Sequence, residues 1–192
     1  MSDLNKVEFG LKNVHVGTYT VNEATGVVTM GTPYKLPGAV NLSLDPETEE
    51  VKSYADDVIY YADYSDNGFS GSLEMMRFPD EYKLKFCGFI QLDDGGIAQS
   101  KYATRPNLYI AFEGDGDKEK RRGILYNVRA SVPSREHKTK EGSNEPNTES
   151  CDLTVMGDNA TGLTRVYYPQ SADGYDTLFT NPPAPQLPVE SE

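Results

Sequence analysis

The sequence predicts a mainly β fold, an antiparallel sandwich or barrel with one flanking helix, and three observations carry that expectation. Apolar and aromatic residues recur in short runs broken by Gly, Pro, Asn and Asp, the punctuation of strands and turns. Several runs alternate apolar with polar, as half-buried strands do. Only one segment carries helix start and stop signals.

Val14 to Val21 is β-branched and aromatic, and Asn22 to Gly26 supplies a turn into Val27-Val28-Thr29-Met30, which predicts a hairpin. Ala39 to Leu44 alternates at Val40, Leu42 and Leu44, and Gly71 to Phe78 does so more weakly. Pro79 is placed to open a helix over about 79–88, with Asp80 and Glu81 at its positive end and Gly88 beyond its last turn. Phe78, Tyr82, Phe86 and Phe89 fall on one face, so this helix should cover an open end or side of the sheet. Further strands are expected at 107–113, 123–130, 152–156 and 164–168.

Residues 1–180 read as a single β domain. Within it, 45–66 is expected to be a long acidic loop between strands, and 134–150, almost wholly polar, a long hairpin tip or mobile loop. The segment 181–192, with prolines at 182, 183, 185 and 188, is expected to be an extended C-terminal arm that dangles or docks on a neighbour.

The 192 residues carry a net charge of −12, with a pI near 4.6. That argues against a sequence-specific nucleic-acid binder, which works through a basic face. No stretch approaches the roughly 20 apolar residues of a membrane-spanning helix. Met1 to Lys6 lacks a basic-then-apolar leader pattern, which predicts a product that stays in the cytoplasm. Cys87 and Cys151, far apart and without a CxxC pair, are expected to be free buried thiols.

Charge is segregated along the chain. Between Asp45 and Asp66 eight acids face one lysine, a net −7, whereas between Lys118 and Lys140 eight bases face two acids, a net +6. The segments read either as two solvated faces or as self-complementary surfaces through which one copy meets the next head to tail.

Catalytic patterns are absent from the sequence. His15 and His137 have no evident partners, and there is no Gly-x-Ser-x-Gly, phosphate-binding Gly-x-x-x-x-Gly-Lys or His-Glu-x-x-His. No enzymatic activity, cofactor or structural metal is expected. Asp63, Ser65, Asn67 and Glu74, with Gly68 at the sixth place, match the oxygen-ligand spacing of an EF-hand loop. Ser70 stands where an apolar residue would pair sister loops, and the flanks favour strand, so a polar loop entering a strand is the preferred reading.

Four stretches carry a family resemblance: Asn5 to His15, Pro37 to Pro46, Tyr54 to Tyr61 and Asn67 to Glu74. Together they resemble the major tail proteins of siphophages infecting Gram-positive bacteria. The similarity runs from about Asn5 to Pro79, weakens over 91–102, returns around 108–128 and is thin beyond. It implies a β-sandwich of the phage tail-tube type, in virions assembled in the host cytoplasm, with six copies per ring and rings stacked into a conduit for the genome. The partners it implies are further copies of the chain and the tape-measure, terminator and distal tail proteins, with DNA passing unbound and no membrane insertion. By that analogy the 45–66 segment reaches an adjacent subunit through Tyr54, Tyr60, Tyr61 and Tyr64. Arg121, Arg122, Arg129 and Arg135 become candidate partners for Asp56, Asp57 and Asp63 across an interface. Reversal of Arg121 and Arg122 to Glu is then expected to impair tube formation and leave the monomer folded. A β-sandwich recognition module for carbohydrate or another surface is the alternative, weakened by the absence of Trp.

Overall fold

The computed structural model describes residues 10–55, 57–114, 120–135 and 147–188. The chain begins with β1 (Leu11–Val21), β2 (Val28–Met30) and β3 (Tyr34–Lys35), followed by the long pair β4 (Ala39–Ala55) and β5 (Val58–Met75). Helix α1 (Asp80–Phe86) and the small hairpin β6 (Phe89–Gln91) and β7 (Ile97–Gln99) come next. The central strands β8 (Asn107–Gly114) and β9 (Arg122–Ala130) precede β10 (Ser134–Arg135), β11 (Glu149–Val155) and β12 (Arg165–Tyr168). All described pairings are antiparallel, and the main sheet runs β2-β1-β8-β9-β11-β5-β4.

Strands β8 and β9 are buried on both faces. Alternation sends Leu108, Ile110, Leu125 and Val128 into one core, shared with Val14, Val16, Leu73, Met75 and Leu153. It sends Tyr109, Ala111, Ile124 and Tyr126 into a second core with Tyr19 and Leu178. A strand covered on both sides has no polar face to show, hence its near-continuous apolar run. Asn127, with φ of 52°, sits where β9 changes partners. Before it β9 pairs with β12, after it with β11. Its side chain donates to the Gly157 carbonyl at 2.7 Å.

Helix α1 closes the first core as its face predicts: Phe78, Tyr82 and Phe86 are buried there. Pro79 is its N-cap, and Gly88 follows with φ of 70°, a left-handed conformation that suits glycine. The Phe78 N–H donates to Glu149 at 2.9 Å, and Lys83 and Arg135 flank that buried carboxylate at 3.5 and 3.4 Å. Cys87 and Cys151 are free and buried. Burial pushes their thiols up to about 11 and about 12, far from the reactive range.

Two segments differ from the sequence reading. Residues 45–66 are not a loop: they form the outer half of the β4–β5 hairpin, in register from Thr48↔Asp66 to Ala55↔Val58. Val51, Tyr54, Val58, Ile59, Tyr60 and Tyr61 favour extended backbone, so the ladder continues and the backbone groups pair across the ribbon although the side chains stay in water. The described part of the C-terminal segment, 181–188, does not project either. Pro182 and Pro185 are buried on the chain's own second core, and the Tyr126 hydroxyl donates to the Pro183 carbonyl at 3.1 Å. Of the polar segment 134–150, residues 136–146 lie outside the described residues. Its ends pair as a hairpin, Ser134↔Ser150 and Arg135↔Glu149.

The loop after β11 is tied to β1 by charge. The Tyr19 hydroxyl donates to Asp158 at 2.6 Å, and the Thr161 N–H and hydroxyl donate to its other oxygen at 2.7 Å. Burial pushes the Asp158 carboxyl up, but these donors outweigh it and hold the group below its usual range. A depressed folded-state value means stabilisation that is present above pH ~4 and fades as pH falls through the lower value. Tyr19→Phe is therefore expected to lower stability by ~1.5–3 kcal/mol at neutral pH. The difference from wild type should shrink in denaturant titrations repeated near pH 3.

Candidate assembly interface

The outer half of the β4–β5 hairpin is exposed throughout its described side chains from Asp45 to Asn67. Eight residues per strand at ~3.3 Å each carry its tip ~25 Å beyond the body. At its root, Gly68 has φ of 96°, and a Cβ there would strike the Val155 carbonyl. Only glycine lets β5 leave β11 at this point.

On one face of the ribbon Glu50 accepts from the Tyr64 hydroxyl at 3.1 Å and pairs with Lys52 at 2.7 Å. On the other, the Tyr61 hydroxyl donates to Asp63 at 2.7 Å, next to Val51. That bond and the Tyr64 N–H hold the Asp63 carboxyl below its usual range, and the same bond raises Tyr61. Asp57 forms the turn with φ of 62°. Tyr54, Ile59 and Tyr60 surround it in solvent, Tyr60 at 81% exposure. Asp56 lies outside the described residues. Such surface contacts contribute little in water, and an isolated two-stranded ribbon is marginal. Within one chain, nothing described covers the apolar side chains of this tip.

The four arginines have different surroundings. Arg122 is turned into the fold: it lies 3.5 Å from the buried Glu113, donates to the Tyr175 carbonyl at 2.6 Å, and stacks on the Tyr175 and Phe179 rings at 3.9 and 4.6 Å. Arg135 pairs with Glu149. Arg129 is exposed on β9, opposite Thr154. Arg121 lines a cleft at the base of β4. Arg122 and Arg135 are thus engaged by Glu113 and Glu149 rather than by Asp57 or Asp63, and this placement divides the basic segment into internal anchors and surface charges.

The EF-hand spacing does not produce a converging ligand set. Asp63, Ser65, Asn67 and Glu74 run along one strand, so eleven residues at ~3.3 Å separate Asp63 from Glu74 by ~35 Å. Glu74 accepts from Thr148 at 2.6 Å instead. Among the described residues no group of three or more His, Cys, Asp or Glu is placed to hold a metal ion, and no helix is long and apolar enough to cross a membrane.

The cleft itself was not legible in the sequence. It has a volume of about 440 Å³ and is walled by Leu42, Leu44, Phe112 and Tyr167, with Arg121 and Arg165 at its rim. Arg165 is exposed and held between the Phe69 and Tyr167 rings, 4.8 and 5.1 Å from their centroids. Its lining comes from five separate stretches of chain, and no local pattern announces such a meeting.

No protein-family model matches the chain, and no curated protein matches it. Two solved cryo-EM structures are similar in architecture. One is the sheath–tube complex of the PVC extracellular contractile injection system in its extended state, at 12% identity and TM-score 0.49, covering 85% of this chain and 93% of that one. The other is the anti-feeding prophage baseplate, at 12% identity and TM-score 0.42, covering 90% of this chain and 100% of that one.

Proposed function

We propose that the chain is a structural virion protein that self-assembles through its β4–β5 hairpin into hexameric rings, stacked as the tail tube of a siphophage and conducting its genome. The observation that carries this reading is the hairpin tip: Tyr54, Val58, Ile59 and Tyr60 are exposed together at the end of a ribbon that gives them no cover. Exposed β-branched and aromatic residues on an open edge invite pairing with another chain, and the acids around them restrict which chain that is. The resemblance of Asn5 to Pro79 to siphophage major tail proteins supports the same reading and supplies the ring number, the stacking and the other tail proteins as partners. A net charge of −12 suits a conduit, since an acidic wall repels phosphates over a Debye length of ~8 Å and lets DNA pass without adhesion.

Negative-stain microscopy of the purified protein over a concentration series tests this reading. Rings or hollow tubes are the expected result. A monomer at every concentration that instead binds a glycan array would transfer the protein to the recognition-module class.

A further inference from the structure

We infer that the cleft beside β4 is the receptor for the hairpin tip of a second copy of this chain, with Arg165 as the residue that reads the tip's acidic charge. The inference rests on the assembly reading above and names the surface on which it acts.

The cleft and the tip are complementary in kind. One presents the exposed Arg165 guanidinium beside Leu42, Leu44, Phe112 and Tyr167. The other presents Tyr54, Tyr60 and Ile59 around Asp57, in a segment of net −7. Arg165 is prepared for this role. Its guanidinium lies over the Phe69 and Tyr167 rings, the residue is exposed, and among the described residues no carboxylate pairs with it, so its donors remain available to a carboxylate from another chain. A carboxylate arriving there gains charge-assisted bonds without first ordering a long side chain.

A chain cannot satisfy its own cleft. Leu44 lies at the cleft and Tyr54 near the tip of the same strand, and ten residues at ~3.3 Å separate them by ~30 Å. The two surfaces therefore meet only between copies. Each copy has one tip and one cleft, and the surfaces differ, so the contact is heterologous and generates a closed ring or an open stack. The acidic tip repels other tips and seeks this basic rim, which gives the contact its direction.

Two measurements test the pairing. Arg165→Gln and Asp57→Asn are each expected to raise the concentration needed for assembly by about tenfold or more, the scale of a lost interfacial charge pair. The double variant should need no more than the worse single variant, because each removes the same contact. Both positions are exposed, and asparagine tolerates the left-handed turn at 57, so the melting temperatures should match wild type. Val40→Cys with Tyr60→Cys should give a ladder of intermolecular disulfides on oxidation, and neither single variant should. Wild-type assembly together with unchanged assembly of Arg165→Gln and no ladder would overturn the pairing and leave the assembly reading standing. A wild type that never assembles would overturn both. Binding of an oligonucleotide to the wild-type monomer that Arg165→Gln abolishes would assign the cleft to phosphate and overturn the pairing.

Discussion

Replacement of residues 47–68 by an Asn-Gly turn, which joins the paired Pro46 and Phe69 directly, is expected to yield a folded monomer that no longer assembles. The excision leaves the inner half of the hairpin, where Leu42 pairs with Leu73 and β5 pairs with β11 from Phe69 to Met75. That half supplies Leu73 and Met75 to the first core, whereas the described side chains of the outer half are exposed and contribute nothing to either core. Asn-Gly matches the twist of a two-residue hairpin connection. The melting temperature should stay within a few degrees of wild type, because surface residues away from caps and networks change stability little. Rings and tubes should disappear under conditions in which the wild-type chain forms them. Tubes from the excised protein would show that the ribbon is dispensable and that assembly runs through another surface.

Arg122→Glu has the opposite signature, a damaged monomer. The guanidinium lies beside Glu113, which is also approached by Asn13 at 3.1 Å and Lys12 at 3.7 Å. It also anchors the C-terminal segment through the Tyr175 carbonyl and the Tyr175 and Phe179 rings. Glutamate would remove these contacts and set a second carboxylate against Glu113. Breaking a largely buried pair in this way costs about 3–5 kcal/mol, a large share of the 5–15 kcal/mol typical of a domain. The melting temperature should fall by roughly 8–15 °C, at about 2–4 °C per kcal/mol for a chain of this size. Protease sensitivity should rise first after residue 168, where the C-terminal segment covers the second core. A fall below about 2 °C would show that the anchor is not needed. The expectation that reversal of both Arg121 and Arg122 spares the monomer is thereby corrected. Arg165, rather than Arg122, is the residue with which to separate assembly from folding.

These two outcomes divide the molecule between stability and association. The two cores, helix α1 and the C-terminal segment hold the body together. The ribbon contributes little to that body and presents its apolar area to solvent. A long open edge is hazardous for a soluble β protein, and charge is one of the devices that blunt it. In the proposed assembly the acids of 45–66 would serve solubility beforehand as well as selectivity during it.

Much of the body was legible in the sequence because its signals are local. The β1–β2 turn, the alternation of β8 and β9, and the Pro79-to-Gly88 limits of the helix each depend on residues within a few positions of one another. The acidic segment misled because charge and strand propensity pointed in different directions. Eight acids suggested a loop, while Val51, Tyr54, Val58, Ile59, Tyr60 and Tyr61 sustained a ladder that satisfies the backbone without burial. Glycine at 68 and 71 belongs to the same account, since a Cβ would strike a carbonyl of Val155 or Ser43, a constraint visible only once neighbouring strands are in place.

By itself the sequence determined the β class, the helix face that closes the sheet, and the separation of a −7 segment from a +6 segment. Tertiary structure decided what such charges do: it set Arg122 against the buried Glu113, paired Arg135 with Glu149 and, outside that segment, placed Arg165 over two aromatic rings. The physical reason is that a side chain's charge is a property of one residue. Its energy depends on what stands within a few ångströms, and in an antiparallel sheet those neighbours come from distant stretches of the chain.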